Sequence, residues 1–333
     1  MKKIISLALV VVLALAAFAF VACDNKEETP SGNNTENNTE NNNVEKTYNL
    51  AIGVVVNTND SKATATETVA AIVTDADGKI VLCRVDCIEY AALSKAGEFS
   101  TAAPTSKVAQ GDDYGKMPAG SWATQVKALE TYVVGKTQTE VATVAAEGYA
   151  ADADLKASCS FYIADLTKAI DNAFKSEHKV TFTSTATSFT AGLSAIGSVK
   201  DTSEESVNNA EFTADFAAAI LADGKVVAAI LDTAEVVINK VTEKDTETDG
   251  GAESIAFKDN DNGATGTKRE QGDKYAMTSG AWYVQADAYA KSAVGKTASD
   301  IATLATEGVA GCTMPYSTFA FKASLEAAVK AAK

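Results

Sequence analysis

Histidine is nearly missing from this sequence of 333 residues, which contains only His178. A histidine-based triad cannot occur in both halves of the chain, and even a single triad is disfavoured, because His178 lies where two repeated segments meet. A zinc site would need several histidine or cysteine ligands close together, and the sequence does not group them. We therefore predict no catalytic residues, no metal site and no enzymatic activity.

Basic residues are also few: 29 Lys and Arg stand against 44 Asp and Glu, so the formal net charge is −15. Such an acidic chain stays soluble and repels nucleic acid, whose recognition requires basic patches. We expect no nucleic-acid partner.

The five cysteines do not form an obvious set of pairs. Cys83 and Cys87 point the same way from one predicted strand but lie about 13 Å apart along it, which is too far for a disulfide. We expect these two, with Cys159 and Cys312, to behave as small buried hydrophobic side chains.

The N-terminus combines two lysines after Met1 with an apolar run from Ile4 to Val21, interrupted only by Ser6, and then Cys23. This pattern predicts an export signal at 1–22. It resembles a bacterial lipoprotein signal, which implies that Cys23 becomes the lipidated N-terminus. An uncleaved transmembrane anchor is the alternative that we favour less. Both place the remaining chain outside the cytoplasm, attached to the bacterial cell membrane.

Residues 23–47 are rich in Asn and Glu and almost lack apolar side chains. Such a segment cannot bury enough surface to offset the entropy of ordering. It is predicted to be a disordered tether.

The remainder of the chain repeats itself. The matching segments are 51–53 with 195–197, 70–86 with 217–232, 107–117 with 268–277, and 121–148 with 281–308. The sequence therefore predicts repeat domain 1 at 48–176 and repeat domain 2 at 177–333. The second also holds an acidic insertion at 242–262, which we expect to be a surface loop rather than a calcium site.

Each repeat is predicted to be α+β, a small antiparallel sheet packed by helices. Asp77-Gly78 and Asp223-Gly224 separate runs rich in Val and Ile, which indicates hairpins. Later in each repeat, the spacing of apolar residues from Trp122 and from Trp282 is typical of a helix with one buried stripe.

Both repeats contain Val-Gly-Lys-Thr, which resembles the end of a phosphate-binding loop. The full pattern needs a glycine five residues before the glycine of Gly-Lys-Thr, and Glu130 and Ala290 occupy those places. The motif is better explained as one helix ending and another starting, since Thr137-Gln-Thr-Glu140 is a capping box and Thr297-Ala-Ser-Asp300 is a close variant of one.

The best candidates for a binding site are polar and aromatic residues that occur in both repeats. They are Gln110, Gly111, Asp112, Tyr114 and Trp122 in the first, and Gln271, Gly272, Asp273, Tyr275 and Trp282 in the second. Glycine permits close backbone approach, and Tyr and Trp offer faces on which a flat ligand stacks. The alternative is a loop that packs its aromatic side chains on the helix.

The order of elements in each unit resembles that of FMN-binding domains in bacterial surface lipoproteins. Asp154-Leu-Lys-Ala-Ser-Cys-Ser160 stands where that family carries Asp-x-x-Ser-Gly-Ala-Thr, with Asp154 and the hydroxyl of Ser160 matching. The resemblance implies FMN attached at Ser160 and a part in extracytoplasmic electron transfer. In the second repeat Thr313 has the matching spacing, but an ungapped alignment of the last helices places Phe319 opposite Ser160.

The layout also resembles bacterial surface lipoproteins made of tandem repeats. We predict a lipid-anchored, non-enzymatic binding module that takes a small planar ligand, with FMN as the named candidate. The alternative is a structural or protein-interaction lipoprotein of the cell envelope that has no cofactor.

Overall fold

A computed structural model describes residues 44–94, 97–201, 209–241, 254–258, 266–305, 308–314 and 320–333. The predicted signal at 1–22, Cys23 and nearly all of the predicted tether lie outside these ranges. Asn43–Lys333 forms one compact unit. Across the described ranges, every helix is too short or too polar to cross a membrane.

The chain alternates long strands with short helices, which confirms the predicted α+β class. The strands are β1 (Lys46–Asn59), β2 (Thr64–Thr74), β3 (Ile80–Ala91), β4 (Ala145–Ala146), β5 (Tyr149–Ala150), β6 (Val180–Ser184), β7 (Thr190–Asp201), β8 (Asn209–Ala222), β9 (Lys225–Val241), β10 (Ser254–Lys258), β11 (Ala276–Met277) and β12 (Gly280–Ala281). The helices are α1 (Trp122–Tyr132), α2 (Gln138–Val141), α3 (Ala153–Ser158), α4 (Ala164–Lys175), α5 (Trp282–Lys291), α6 (Ala298–Ile301) and α7 (Phe321–Ala331).

The long strands form two antiparallel sheets of four, with the orders β3-β2-β1-β6 and β10-β9-β8-β7. We call residues 44–184 the N-terminal half and residues 190–333 the C-terminal half. Each half contains the predicted hairpin, β2–β3 in one and β8–β9 in the other. At the second turn Asp223 and Gly224 both have positive φ, +49° and +74°, as the tight hairpin turn favoured by right-twisted strands requires.

The two sheets pack face to face, and helices cover their outer faces. Leu50 and Ile52 of β1 share the core between the sheets with Phe212 and Phe216 of β8. On the outer faces, α1 and α4 pack on the first sheet, and α5 and α7 pack on the second. Both faces of each sheet are therefore buried, which explains why the central strands are almost continuously apolar.

The last helix of each half lies unusually close to its sheet. A Cβ atom at Gly53 would lie 2.1 Å from the backbone nitrogen of Ala173, and one at Gly192 would lie 1.8 Å from the carbonyl oxygen of Ala328. The alignment of Gly53 with Gly197 is therefore wrong in structural terms. Gly197 instead contacts Pro104 of the N-terminal half. The strand that contains Gly197 is therefore shifted along its sheet relative to the position that the sequence alignment gives it.

Several local expectations are confirmed, and two segments differ from them. Both capping boxes are present, at Thr137 with Glu140 and at Thr297 with Asp300. Strand β6 pairs with β1, although the predicted boundary at 176/177 assigns it to the second repeat. The expected acidic surface loop contains β10, which pairs with the end of β9.

Candidate functional site

The polar candidates Gln110 and Gln271 mainly stabilise the loops in which they lie, which precede α1 and α5. The side-chain amide of Gln110 donates to the carbonyl of Thr105 at 2.8 Å, and that of Gln271 donates to the carbonyl of Gly266 at 3.3 Å. Each glutamine precedes a single 3-10 turn, Gly111–Asp113 or Gly272–Lys274. Gly111 and Gly272 open these turns with φ of +59° and +55°, which explains why glycine stands there.

The two aspartates of the loop differ in their contacts. Asp112 accepts a hydrogen bond of 2.8 Å from the hydroxyl of Ser121, the residue that caps α1. In the C-terminal half Ala281 takes the place of Ser121 and offers no hydroxyl, and Asp273 is exposed. Neither carboxyl lines a cavity with the aromatic residues, so these two candidates act as loop residues.

Tyr114 and Trp122 do line a cavity, as the prediction of an aromatic surface implied. The cavity, about 420 Å³ in volume, lies between the outer face of the first sheet and the loop before α1. Its lining includes Thr68, Cys87, Lys107, Tyr114, Trp122 and Phe161. Asp165 is the one acidic residue of the lining, and its carboxylate accepts a hydrogen bond of 3.0 Å from the side chain of Asn57. The volume falls in the range of small-molecule sites. We call this space the aromatic cavity.

Lys107 is the one basic side chain that lines the aromatic cavity. Its ammonium nitrogen lies 5.1 Å from the ring centre of Tyr114 and 5.8 Å from that of Trp122. It also lies 3.3 Å from a carboxylate oxygen of Glu89. Its backbone N–H donates to the carbonyl of Cys87 at 2.7 Å, which attaches the loop to the edge of β3. A cation is thus held beside two aromatic faces.

A buried aspartate holds this loop in place. Asp86 accepts hydrogen bonds from the hydroxyl of Ser106 at 2.6 Å, from the backbone N–H of Cys87 at 2.7 Å and from that of Val108 at 3.0 Å. Burial raises the pKa of Asp86 to about 6, although these hydrogen bonds and Lys107 favour the charged form.

The C-terminal half repeats the same arrangement with Asp232. Its carboxylate accepts from the hydroxyl of Thr267 at 2.6 Å and from the backbone N–H groups of Thr233 at 2.8 Å and Arg269 at 3.1 Å. Burial raises the pKa of Asp232 to about 6, and the charge of Arg269 opposes this most strongly. Asp86 and Asp232 thus identify corresponding positions in the two halves.

The region of the C-terminal half that corresponds to the aromatic cavity contains Trp282, Tyr275 and Lys268. Trp282 is completely buried, and its ring packs edge to face against Phe321 with the centres 5.6 Å apart. Lys268 lies 5.4 Å from the ring centre of Tyr275 and forms an ion pair with Glu235. The same residue types are therefore present in both halves, and Trp122 likewise packs on a phenylalanine, Phe161, with ring centres 5.9 Å apart.

Ser160 and Asp154, the residues that resemble a flavin-attachment motif in the sequence, lie outside the lining of the aromatic cavity. Ser160 is hydrogen bonded to Gln125, whose side-chain carbonyl accepts from the Ser160 backbone at 2.8 Å and from its hydroxyl at 3.1 Å. Asp154 is exposed near the start of α3, which Asp152 caps. Neither Asp154 nor Ser160 lines the aromatic cavity, although Phe161 does.

The alignment of Ser160 with Phe319 is wrong. Thr313 donates to the side chain of Gln285 from its backbone at 2.9 Å and from its hydroxyl at 3.0 Å, which reproduces the contacts of Ser160. The ungapped alignment failed because the segment that leads from Thr313 into α7 is longer than the one that leads from Ser160 into α4.

The four cysteines outside the N-terminal region are buried and form no disulfide, as expected. The described ranges also contain no cluster of three or more Asp, Glu, His or Cys residues that could hold a metal ion. Comparison of the chain with models of protein families, with curated proteins and with solved structures found no match.

Proposed function

We propose that this protein is an extracytoplasmic, lipid-anchored binding protein made of two homologous repeats, and that its N-terminal half binds a small planar ligand in the aromatic cavity. FMN is the candidate ligand. The observation that carries the proposal is the cavity of about 420 Å³ that Tyr114 and Trp122 line together with Lys107.

The proposed duplication is supported by contacts as well as by sequence. Asp86 and Asp232 each accept two hydrogen bonds from the following loop and one from the backbone N–H of the next strand residue. The amides of Gln125 and Gln285 also make the same contacts in each half, each donating to a glycine carbonyl five residues earlier at 2.9 Å and 3.1 Å. Two such polar arrangements at corresponding places are not expected of unrelated folds.

Attachment of the ligand at Ser160 is a separate part of the proposal. Ser160 is an exposed residue, and its hydroxyl interacts with one amide oxygen, so a flavin-attaching enzyme could reach it. Phe161, the next residue, lines the aromatic cavity, so a flavin attached at Ser160 would start beside that space.

A protein-interaction role without cofactor is the second candidate. Tyr149 and Tyr162 are 47% and 55% exposed and pack edge to face with ring centres 5.6 Å apart. Exposed tyrosines of this kind are enriched in protein interfaces. A colourless protein that captures an envelope partner through this pair would favour the second candidate.

The first experiment is a flavin assay on the full chain, exported by cells that also produce a flavin-attaching enzyme. Fluorescence that survives denaturing electrophoresis and disappears in Ser160→Ala would establish covalent attachment. Thr313→Ala is the matched control, because Thr313 makes the same contacts in the other half. Fluorescence lost on denaturation would indicate bound FMN, to be tested with Tyr114→Ala against Tyr275→Ala. No flavin in either form would contradict FMN as the ligand.

The membrane anchor is tested separately. Cys23→Ser should move the protein from the membrane fraction to the soluble extracytoplasmic fraction and remove incorporation of a radiolabelled fatty acid. If Cys23→Ser stays with the membrane, the uncleaved apolar segment anchors the chain instead.

A further inference from the structure

The two halves differ at one strand position beside the corresponding lysines. Thr68 pairs across the sheet with Cys87, and Asp215 pairs in the same way with Thr233. Because Cys87 and Thr233 directly follow the equivalent residues Asp86 and Asp232, Thr68 and Asp215 occupy corresponding positions. A neutral hydroxyl in the N-terminal half thus replaces a carboxyl in the C-terminal half.

In the C-terminal half this carboxyl belongs to the packed arrangement. Asp215 is 4% exposed, and the hydroxyl of Thr233 donates to it at 2.6 Å. Burial raises the pKa of Asp215 to about 7, while Thr233 and the charge of Lys268 favour its ionised form. Lys268 therefore faces two acidic side chains of its own chain, Asp215 and Glu235.

In the N-terminal half the acidic neighbours of Lys107 are Glu89 and the hydrogen-bonded Asp86, and a neutral threonine takes the place of Asp215. Lys107 forms an ion pair with Glu89, whose side chain is 44% exposed and therefore well solvated. Cys87 does not replace the missing carboxylate, because burial raises the pKa of its thiol above its usual range and keeps it neutral. Thr68 lines the aromatic cavity together with Lys107, and its hydroxyl donates a long hydrogen bond of 3.7 Å to the sulfur of Cys87, so the position of Asp215 is held by a neutral side chain.

We propose that the aromatic cavity binds an aromatic anion, whose negative group lies between Lys107 and Thr68 where the C-terminal half places the carboxyl of Asp215. The flat part of the ligand then lies against Tyr114, Trp122 and Phe161. The C-terminal half contains its own substitute for the ligand's charge and is not a second site. This inference rests on the proposed function in that it uses the same cavity, but it does not require the ligand to be a flavin.

The test compares two fluorescent probes with the same ring system on the full chain. 1-Anilinonaphthalene-8-sulfonate is an aromatic anion, and N-phenyl-1-naphthylamine is its uncharged counterpart. We expect the wild-type protein to bind the sulfonate more tightly. Thr68→Asp, which introduces the carboxyl of the C-terminal half, should weaken sulfonate binding by roughly tenfold or more, equal to about 1.4 kcal/mol. Binding of the uncharged probe should change by less than about twofold.

Two further variants complete the design. Lys107→Gln should weaken sulfonate binding as Thr68→Asp does, and it serves as the second variant if the aspartate prevents folding. Asp215→Thr is the matched control in the other half and should leave sulfonate affinity unchanged. Equal affinity for the two probes, no sulfonate binding, or no effect of Thr68→Asp and Lys107→Gln would each overturn the proposal.

Failure of this inference can be distinguished from failure of FMN as the ligand. Sulfonate binding that depends on Lys107, without flavin in the assay above, would support the anion site and contradict FMN. Flavin binding that is equally strong for FMN and uncharged riboflavin, and unchanged in Thr68→Asp, would support the binding function and overturn the anion position.

Discussion

Glu67 offers the sharpest test of how the two sheets pack. The alternation along β2 places its side chain on the inner face, where it is completely buried, and neither carboxylate oxygen has a hydrogen-bond partner in the described part of the chain. Burial raises the pKa of Glu67 well above its usual range, and the acidic residues Asp215, Asp232 and Glu235 of the opposite sheet raise it further. The folded protein therefore holds this carboxyl in its neutral form.

Replacing Glu67 by leucine removes both buried oxygens and keeps an apolar side chain of similar size. A buried polar group without a partner costs about 1–3 kcal/mol, so we expect Glu67→Leu to increase the free energy of unfolding at pH 8 by about that amount. The strand register places Ala214 at the corresponding position of the second sheet, which shows that an apolar residue suits this environment.

The raised pKa of Glu67 determines how the stability change in Glu67→Leu depends on pH. Because the folded-state pKa of Glu67 is raised, the folded protein binds this proton more tightly than the unfolded chain does. The resulting stabilisation is fully present below the ordinary value of 4.5 and is lost as the pH rises through the folded-state pKa. The gain in stability from Glu67→Leu should therefore be larger at pH 8 than at pH 5. The raised pKa values of Asp86, Asp215 and Asp232 act in the same direction and remain in the variant.

The assay is urea unfolding of the full chain, followed by far-ultraviolet circular dichroism at pH 5, 6, 7 and 8. Glu98→Leu, at an exposed position, controls for the general effect of removing one negative charge from an acidic protein. The reasoning is refuted if Glu67→Leu lowers the free energy of unfolding by as much at pH 8 as at pH 5. That result would show that the carboxylate has a stabilising partner.

Three further changes have expected results. Gly192→Ala should lower the free energy of unfolding by about 1–3 kcal/mol or more, because its Cβ would collide with the backbone of Ala328. Ser106→Ala removes a donor that favours ionised Asp86, so it should destabilise the protein by about 1–3 kcal/mol, and more at pH 8 than at pH 4. Thr297→Ala removes the cap of α6 and should cost about 1 kcal/mol in the same urea assay.

Each of these variants has a control and an outcome that contradicts it. Ser198→Ala, exposed on the same strand as Gly192, should have little effect; equal losses would mean that strand propensity, not collision, matters. Thr267→Ala should reproduce Ser106→Ala through Asp232, and opposite pH trends would separate the two halves. An unchanged Thr297→Ala would show that α6 is held by packing alone.

The local parts of the fold were readable because their signals lie close together in sequence. The hairpin at Asp223-Gly224 and the capping box at Thr297 each depend on a few adjacent residues. The pairing of β6 with β1 was not readable, because it joins residues 130 to 138 positions apart and β6 is only five residues long. The face-to-face packing of the two sheets was not readable either. Both faces of the central strands are equally apolar, so the sequence does not mark which face packs on the other sheet.

The candidate site was found in part. Tyr114 and Trp122 were recognised because they recur in the second repeat, and Lys107 recurs as Lys268 in the same way. The difference between Thr68 and Asp215 could not be recognised, because it has meaning only when the register of β2 with β3 and of β8 with β9 is known.

The core that the two sheets share has a consequence for the history of the chain. A single ancestral unit would have exposed the apolar inner face of its sheet to water, so under the proposed duplication it would have needed a second identical copy as a partner. Joining the two copies in one chain removed the requirement that they stay identical. Each half was then able to change separately, as Thr68 and Asp215 have done at corresponding positions.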